Sequence, residues 1–203
     1  MTKENILDAI QRYFKDVQCI ATNMPCSKIA QVTRVLFDAW SESRRIYICG
    51  NGGSASTASH FACDLGKGTA VRGQPRFKVI ALTDNLATIS AWANDAAYED
   101  IFAEQLVNLV ESGDVVIGIS GSGNSPNVLN AMTAARSAGA KTVGFTGFEG
   151  GKLKRFVDHC IIVPSANMGQ IEDYHLMLGH CISQKLRELL SERNEESADI
   201  VPF

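Results

Sequence analysis

The sequence predicts an α/β sandwich built on a five-stranded parallel sheet, and two observations lead to this fold class. Five short apolar runs are nearly continuous instead of alternating with polar residues, which is typical of parallel strands buried on both faces. These runs cover residues 45–49, 78–82, 114–119, 141–145 and 159–163. Helical patterns separate several of the runs, and such an alternation indicates a parallel sheet covered by helices.

Helical periodicity predicts the elements around these strands. Two helices, over residues 3–20 and 27–42, precede the first strand. Their apolar residues can pack on their own sheet or on neighbouring subunits, and the sequence does not separate these arrangements. In the first helix the apolar residues at helical spacing are Ile6, Ile10, Phe14 and Val17. The further predicted helices cover residues 54–66, 100–111, 125–138, 149–156 and 168–192.

Two segments show neither pattern. Residues 67–77 contain two glycines, one proline and three basic residues, and we expect a surface loop there. Residues 192–203 are predicted as a solvated tail that frays. No internal repeat or long linker divides the chain, so the sequence predicts one domain over residues 1–203.

Composition excludes several classes of protein. The net charge is −3 and no block of Lys or Arg occurs, so we expect neither a nucleic-acid nor a membrane partner. No apolar run approaches the roughly 18 residues of a membrane span, and the start of the chain lacks the layout of a signal peptide. The six cysteines are scattered without a C-x-x-C pair, which argues against a zinc ribbon or a thioredoxin. Reduced thiols predict a cytoplasmic protein.

A first glycine-rich loop, residues 50–54, connects a predicted strand to a predicted helix. Its glycines let backbone amides approach an anion, and the following helix offers free N–H groups and the positive end of its dipole. Ser54 also suits the N-cap of that helix, which is the purely structural interpretation. A glycine turn after a strand is common, so this loop alone is a weak signal.

A second loop, residues 120–125, again lies between a strand and a helix and carries three serines and two glycines. Hydroxyls donate to phosphate oxygens, so this composition fits a phosphate better than a plain turn. Neither loop matches the Walker or the dinucleotide-binding pattern. Because both loops follow strands, where open α/β sheets bind ligands, we expect a phosphorylated small molecule.

Two predicted helices carry residue types that bind metals or transfer protons. His60 and Asp64 are four residues apart and project from nearly one face. On the last helix, Glu172 and His175 have the spacing of Glu-x-x-His metal helices, whereas His180 points away from His175. Spacing alone therefore slightly favours His175 as the partner of Glu172. Two imidazoles with carboxylates suit Zn²⁺, and ordinary surface ion pairs are the alternative.

The order of these motifs resembles that of the phosphoheptose isomerases, a family of the SIS (sugar isomerase) superfamily. The similarity covers nearly the whole chain and rests on residues 49–54 with His60-Phe61-Ala62, on Ala93-Asn94-Asp95, on residues 119–125, and on Ile171-Glu172-Asp173 with His175 and His180. It implies the SIS fold, a three-layer sandwich with an N-terminal helical pair and a long C-terminal helix. It also implies isomerisation of sedoheptulose 7-phosphate to D-glycero-D-manno-heptose 7-phosphate, bound zinc or another divalent ion, and homotetramers with active sites between subunits.

The same resemblance implies roles for particular residues. The sugar phosphate would be contacted by Asn51, Gly52, Gly53 and Ser54, with Asn94 and Asp95 lining the sugar. The phosphate would lie in the second loop, at Ser120, Gly121, Ser122 and Ser125. The implied metal ligands are His60, Asp64, Glu172 and His180, of which the last three are also the implied catalytic residues. For the histidine ligand on the last helix, the resemblance implies His180, whereas spacing alone favours His175.

The chain departs from the family at three of these positions. It has Asp64 where the family usually has Glu, Glu172 where it usually has Gln, and Gly121 where it usually has Thr. These changes leave open whether Asp64 or Glu172 is the general base, and they leave the particular sugar open. The alternatives are an isomerase of another phosphosugar, or a binding protein that, like some relatives, associates with the bacterial replication initiator.

Overall fold

A computed structural model describes residues 5–198, with the side chains of residues 5–193. The sheet has five strands, all parallel, in the order β2-β1-β3-β4-β5. The strands are β1 (Arg45–Gly50), β2 (Lys78–Ala81), β3 (Val115–Ile119), β4 (Lys141–Thr146) and β5 (His159–Ile162). The predicted α/β class and all five predicted strands are confirmed, with ends that shift by one residue.

Eight α-helices connect and cover these strands within the described residues. They are α1 (Ile6–Thr22), α2 (Cys26–Ser41), α3 (Gly53–Cys63), α4 (Leu86–Asp95), α5 (Ala103–Leu109), α6 (Pro126–Ser137), α7 (Leu153–Phe156) and α8 (Met168–Ala198). A π-helical turn, Asp64–Gly68, extends α3, and a 3₁₀ turn, Tyr98–Asp100, precedes α5.

Two hydrophobic clusters lie on opposite faces of the sheet and make three layers. Alternate residues of a strand belong to different clusters, as Ile46 and Tyr47 of β1 show. The first cluster joins the sheet to α2, α3 and α8, with Leu36, Phe61 and Ile182 among its buried side chains. The second joins it to α5 and α6. The three-layer sandwich implied by the family resemblance is therefore confirmed.

The helices differ from the prediction in four places. The segment 100–111 contains a 3₁₀ turn and the short α5, and 149–156 contains only the four-residue α7, because Gly150 and Gly151 adopt positive φ angles. Helix α4 was not predicted, although Asn85 caps it by accepting a hydrogen bond from the Thr88 N–H at 3.1 Å. Helix α8 continues to Ala198, so the predicted tail is wrong up to that residue. Residues 199–203 lie outside the described part of the chain.

Helix α1 buries only one described residue, Ile20. Its apolar stripe is exposed: Ile6 is 78% exposed and Phe14 66%, and Ile10 also faces outward. Most of the stripe therefore does not pack on the sheet of this chain, whereas α2 buries Val32, Leu36 and Trp40 in the first cluster. Across the described residues, no helix is both long and apolar enough to cross a bilayer.

Helix α8 carries a buried histidine. His175 is 1% exposed, its ring lies 6.2 Å from that of Phe145, and both ring nitrogens lack a hydrogen-bond partner among the described residues. Burial disfavours the charged imidazolium and lowers the pKa of His175 to about 4. The backbone of Thr146 opposes this shift weakly, because it does not reach hydrogen-bond geometry.

This burial makes stability depend on pH. Between about pH 6.5 and pH 4 the unfolded chain protonates at His175 while the folded chain does not, so protons favour unfolding. We expect His175 to remove up to about 3 kcal/mol of unfolding free energy as the pH falls through this window. The variant His175→Leu should lose that component. Urea unfolding of both proteins from pH 7 to pH 4 measures it, and parallel pH profiles would contradict the prediction.

Candidate active site

The two glycine-rich loops lie side by side at one edge of the sheet. The chain passes from β1 to the outer strand β2 and then returns to β3 on the other side of β1. The helices that follow these two loops, α3 and α6, therefore lie on opposite faces of the sheet. Such a topological switch point is where open α/β sheets form a ligand crevice. The sequence predicted two loops at strand ends, and the strand order places them next to each other.

The first loop ends in the N-terminus of α3. The N-cap residue is Gly52, at φ +53°, and no side chain caps the helix, so the predicted Ser54 cap is wrong. A β-carbon at Gly52 would meet nothing within 4 Å, so the backbone there borders open space. Ser54 is buried one residue inside the helix. The uncapped N–H groups and the helix dipole make this end attractive for an oxyanion.

Asn51, predicted to contact the sugar, is held by other side chains. Its amide donates to Asn127 Oδ1 at 2.8 Å, and the Asn127 amide donates back to Asn51 Oδ1 at 2.9 Å. The hydroxyl of Tyr98 also donates to Asn51 Oδ1, at 3.1 Å. Asn94 and Asp95, predicted to line the sugar, lie at the exposed end of α4, where the Asn94 amide donates to Asp95 at 2.8 Å.

The second loop brings its hydroxyls together. Ser120 Oγ and Ser125 Oγ are 3.0 Å apart, and Ser125, at the N-cap of α6, makes no capping bond with its side chain. Ser122 Oγ accepts from the Asn124 N–H at 3.2 Å, which closes a tight turn. Gly123 has φ +66° and packs directly on the backbone of Gly150. Two converging hydroxyls at a helix N-terminus form a suitable pocket for a phosphate.

Helix α8 crosses both loops and uses the space that their glycines leave free. A β-carbon at Gly53 would lie 2.9 Å from Glu172 Oε2, and a β-carbon at Gly121 would lie 2.4 Å from Met168 Sδ. Met168 and Glu172 are one turn apart on the same face of α8. This chain thus has a thioether beside the second loop, where the family usually has the hydroxyl of a threonine.

Three of the four predicted metal ligands converge. The Nε2 atoms of His60 and His180 are 2.9 Å apart, and Asp64 Oδ2 lies 3.4 Å from the first and 3.7 Å from the second. These atoms form one group of potential ligands within the described residues, and Glu172 is not part of it. Its carboxylate lies at the first loop instead.

The donor set fits a divalent metal ion. Asp64 Oδ2 is buried and accepts no hydrogen bond from any described group, although two imidazoles face it. A tetrahedral zinc ion with bonds of about 2.0–2.1 Å holds its ligand atoms about 3.3 Å apart, close to the spacing here. Both imidazoles are about half exposed, so an ion there would remain accessible to a substrate.

His180 and not His175 joins this group. The side chain of His175 points to the core beside Phe145, whereas that of His180 faces His60 with ring centroids 4.9 Å apart. The slight preference for His175 that spacing alone suggested is therefore wrong. Asp64 begins the π-helical turn after α3, and π turns are frequent at functional sites.

Sequence reasoning did not identify Asn127, Tyr98 or Met168. Asn127 directly follows the second loop and could have been noticed as a polar residue on the buried side of a helix start. Tyr98 and Met168 reach the loops from distant segments, and no pattern in the sequence indicates these contacts.

Comparison with known proteins agrees with this architecture. Residues 12–147 match the family described as the SIS domain. The phosphoheptose isomerase of Thermodesulfovibrio yellowstonii is 40% identical over 166 residues, 82% of each chain. That of Aquifex aeolicus is 33% identical over 93% of this chain and 100% of its own. The solved structure of a phosphoheptose isomerase from Francisella tularensis has a TM-score of 0.85 at 30% identity, covering 91% of this chain and 100% of the other. The chain therefore belongs to the phosphoheptose isomerases, a family of isomerase enzymes within the SIS-domain proteins.

Proposed function

We propose that this protein interconverts sedoheptulose 7-phosphate and D-glycero-D-manno-heptose 7-phosphate in the cytoplasm. One observation carries the proposal: α8 lies against both glycine-rich loops through Met168 and Glu172, and the same helix brings His180 together with His60 and Asp64. The second loop binds the phosphate end of a sugar, and the two imidazoles with their carboxylate can move protons at the other end. The relatives named as phosphoheptose isomerases support this choice of substrate.

The second loop holds the phosphate in this proposal. Ser120, Ser122 and Ser125 turn their hydroxyls to the phosphate oxygens, and the N-terminus of α6 adds its dipole. The first loop is less suited to the phosphate, because the Glu172 carboxylate already lies against Gly53 at the N-terminus of α3. The sugar therefore extends from the second loop across the first, where Gly52, Gly53 and Ser54 border it, towards the group around Asp64.

The chemistry requires a base and an acid at neighbouring carbons. The base removes a proton from C1 of the ketose while the C2 oxygen gains one, and the resulting enediolate is reprotonated at C2 as the O1 hydroxyl loses its proton. Asp64 or Glu172 serves as the base, and His180 serves either as the acid at the oxygens or as a metal ligand. Asp64 lies between two imidazoles, whereas Glu172 lies at the loop, so each carboxylate has a distinct position from which to act.

A zinc ion is part of the proposal. His60, Asp64 and His180 would hold it, and Glu172 would join them only through a rotation of its side chain away from Gly53. When bound, zinc supplies a Lewis acid that polarises the sugar carbonyl and stabilises negative charge on its oxygens. The unpartnered Asp64 Oδ2 supports the site, because a buried carboxylate oxygen without a donor is unfavourable unless a cation is nearby.

A second candidate function is isomerisation of a different phosphosugar. The contact between Met168 and Gly121 favours it, because an apolar thioether borders the loop where a threonine would offer a hydroxyl. Sites that lack a hydrogen-bonding group lose discrimination for the substrate hydroxyl it would bind. A comparison of five-, six- and seven-carbon ketose phosphates in one assay separates the two candidates.

The turnover prediction uses metal-loaded protein, sedoheptulose 7-phosphate and deuterated water. We expect NMR to show an aldose phosphate that carries deuterium at C2, because the abstracted proton exchanges with solvent. His180→Ala should lower kcat at least about a hundredfold, the usual effect of losing one acid–base group. His159→Ala, at the opposite, amino-terminal end of strand β5, is the matched control and should keep full activity. A fully active His180→Ala protein would remove His180 from the mechanism.

The metal prediction has a readout that is independent of activity. Chelator-treated protein should bind about one Zn²⁺ per chain in calorimetry, with a rise in melting temperature. Replacing one ligand, in His60→Ala or His180→Ala, should weaken binding at least about a hundredfold. His159→Ala should bind zinc as the unaltered chain does. Equal zinc affinity in all four proteins would show that the group around Asp64 does not hold the ion.

We also propose a homotetramer, because several elements expose apolar side chains among the described residues. Helix α1 exposes its apolar stripe, α4 buries no residue, and Ile80 on the edge strand β2 is 42% exposed. Apolar stripes of this kind are unfavourable in water and mark protein interfaces. The half-exposed imidazoles of His60 and His180 also leave room for a neighbouring subunit to complete the crevice.

The assembly prediction targets that stripe. Replacing Ile10 and Phe14 together with Ser should convert the tetramer into smaller species, because it removes exposed apolar contacts without affecting the core. Light scattering after gel filtration measures the mass, and far-UV circular dichroism confirms the fold. Lys15→Ser, an exposed change on the same helix, is the control. If the double variant remains tetrameric, α1 is not at an interface.

A further inference from the structure

Three polar side chains that the proposed chemistry does not use form a closed hydrogen-bonded circuit beside the crevice. Asn127 pairs with Asn51 of the first loop, and Tyr98 of the 3₁₀ turn donates to the same Asn51. Asn130, one turn after Asn127 on α6, donates to Glu99 O at 3.0 Å and to Asp100 Oδ1 at 2.9 Å in that turn. The circuit thus connects α6, the first loop and the 3₁₀ turn.

We propose that Asn127, Asn130 and Tyr98 are positioning residues that lock the first loop onto the phosphate-binding loop. This inference rests on the proposed isomerase function for its kinetic readout. Asn127 comes only two residues after Ser125, so its amide moves together with the hydroxyls of the second loop. Its two bonds to Asn51 therefore transmit the position of the bound phosphate to the first loop.

The reciprocal amide pair is suited to this role. Asn127 is 1% exposed, and its Oδ1 also accepts the N–H of Val128 at 3.0 Å. Leaving a buried amide without a hydrogen-bond partner costs free energy. Separation of the two loops would break both bonds and leave buried polar atoms unpaired. An apolar residue at position 127 could fill the same volume, but it would leave Asn51 free to turn.

The bonds to the 3₁₀ turn also position Asn94 and Asp95, the residues proposed to line the sugar. Asn94 and Asp95 precede Tyr98 by only a few residues, at the end of a helix that fully buries none of its own side chains. Ile89, Trp92 and Ala93 of that helix pack, partly buried, against the second cluster. Asn94 and Asp95 are exposed at its end, and the bonds from Tyr98 and Asn130 fix the following turn against the loops. Reaction rates depend steeply on such placement, since a misplacement of about 1 Å can lower the rate about a hundredfold.

The test compares two variants with a control on the same helix. Asn127→Leu replaces the amide with an uncharged side chain of similar volume, so that Asn51 loses both bonds, and Tyr98→Phe removes one hydroxyl from a residue that is 58% exposed, without disturbing the core. The control is Thr133→Ala, whose hydroxyl bonds only to the carbonyl of Leu129 in its own helix among the described contacts.

We expect kcat to fall about a hundredfold in Asn127→Leu and about threefold to tenfold in Tyr98→Phe. The affinity for inorganic phosphate, measured by calorimetry, should stay within about twofold, because the hydroxyls of the second loop remain in place. Thr133→Ala should match the unaltered protein in both measurements. Unchanged kcat in both variants, or a loss of phosphate affinity in parallel with kcat, would overturn the proposal.

Amide hydrogen exchange keeps this test separate from the proposed function. The N–H groups of Ala55 and Ser56 donate to the carbonyls of Asn51 and Gly52. In both variants these two amides should exchange at least about tenfold faster than in the unaltered protein, while residues 120–125 should not change. If the unaltered protein has no turnover with the heptose phosphate, the proposed substrate is wrong. The exchange rates alone then test whether these three side chains hold the first loop in place. Unchanged exchange at Ala55 and Ser56 would then show that no lock exists.

Discussion

The site depends on the adjacency of β1 and β3 in the centre of the sheet. Residues Ile46 to Gly50 of β1 pair in register with Val115 to Ile119 of β3, so both strands end at the same level. Each strand is followed by a glycine-rich loop and the N-terminus of a helix. If another strand lay between them, the loops would be separated by roughly 5 Å more, and neither the Asn51–Asn127 pair nor a shared ligand crevice could form.

Helix α8 supplies the remaining wall of the crevice. It packs on α3 through the core, where Phe61 approaches Gly179, and this contact brings His180 next to His60. Earlier turns of α8 direct Met168 and Glu172 at the glycines of the two loops. One helix therefore carries the imidazole of the proposed metal group, a carboxylate and an apolar side chain, so any shift of α8 would move all three together.

The fold was predictable because its signals are local. Continuous apolar runs identified the five strands, and the three-layer arrangement followed from their alternation with helices. Helix α4 was missed because it is short and buries no residue fully, although Ile89, Trp92 and Ala93 at helical spacing pack against the second cluster. The exposed stripe of α1 shows the opposite limit, since periodicity identifies a helix but not the surface on which it packs.

The site was predictable only in part. The i, i+4 spacing of His60 and Asp64 correctly placed both on one helix face, but the choice between His175 and His180 depends on how α8 rotates against the sheet. That rotation is set by long-range packing, with His175 against Phe145, and it is not visible in local spacing. Contacts from Tyr98 and Met168 are long-range for the same reason.

The three departures from the family pattern are each accommodated by a specific contact in this chain. The shorter carboxylate of Asp64 still approaches both imidazoles, to 3.4 and 3.7 Å, from the first residue of the π-helical turn. The charge of Glu172 lies at the positive end of α3, in space that only a glycine at position 53 leaves open. The hydroxyl absent at Gly121 is replaced by the thioether of Met168. Random loss of a site would leave these positions without specific contacts, whereas here each changed residue lies against a particular neighbour. The departures therefore argue for a working site that has been adjusted, with the contact between Met168 and Gly121 as the feature most able to alter the choice of sugar.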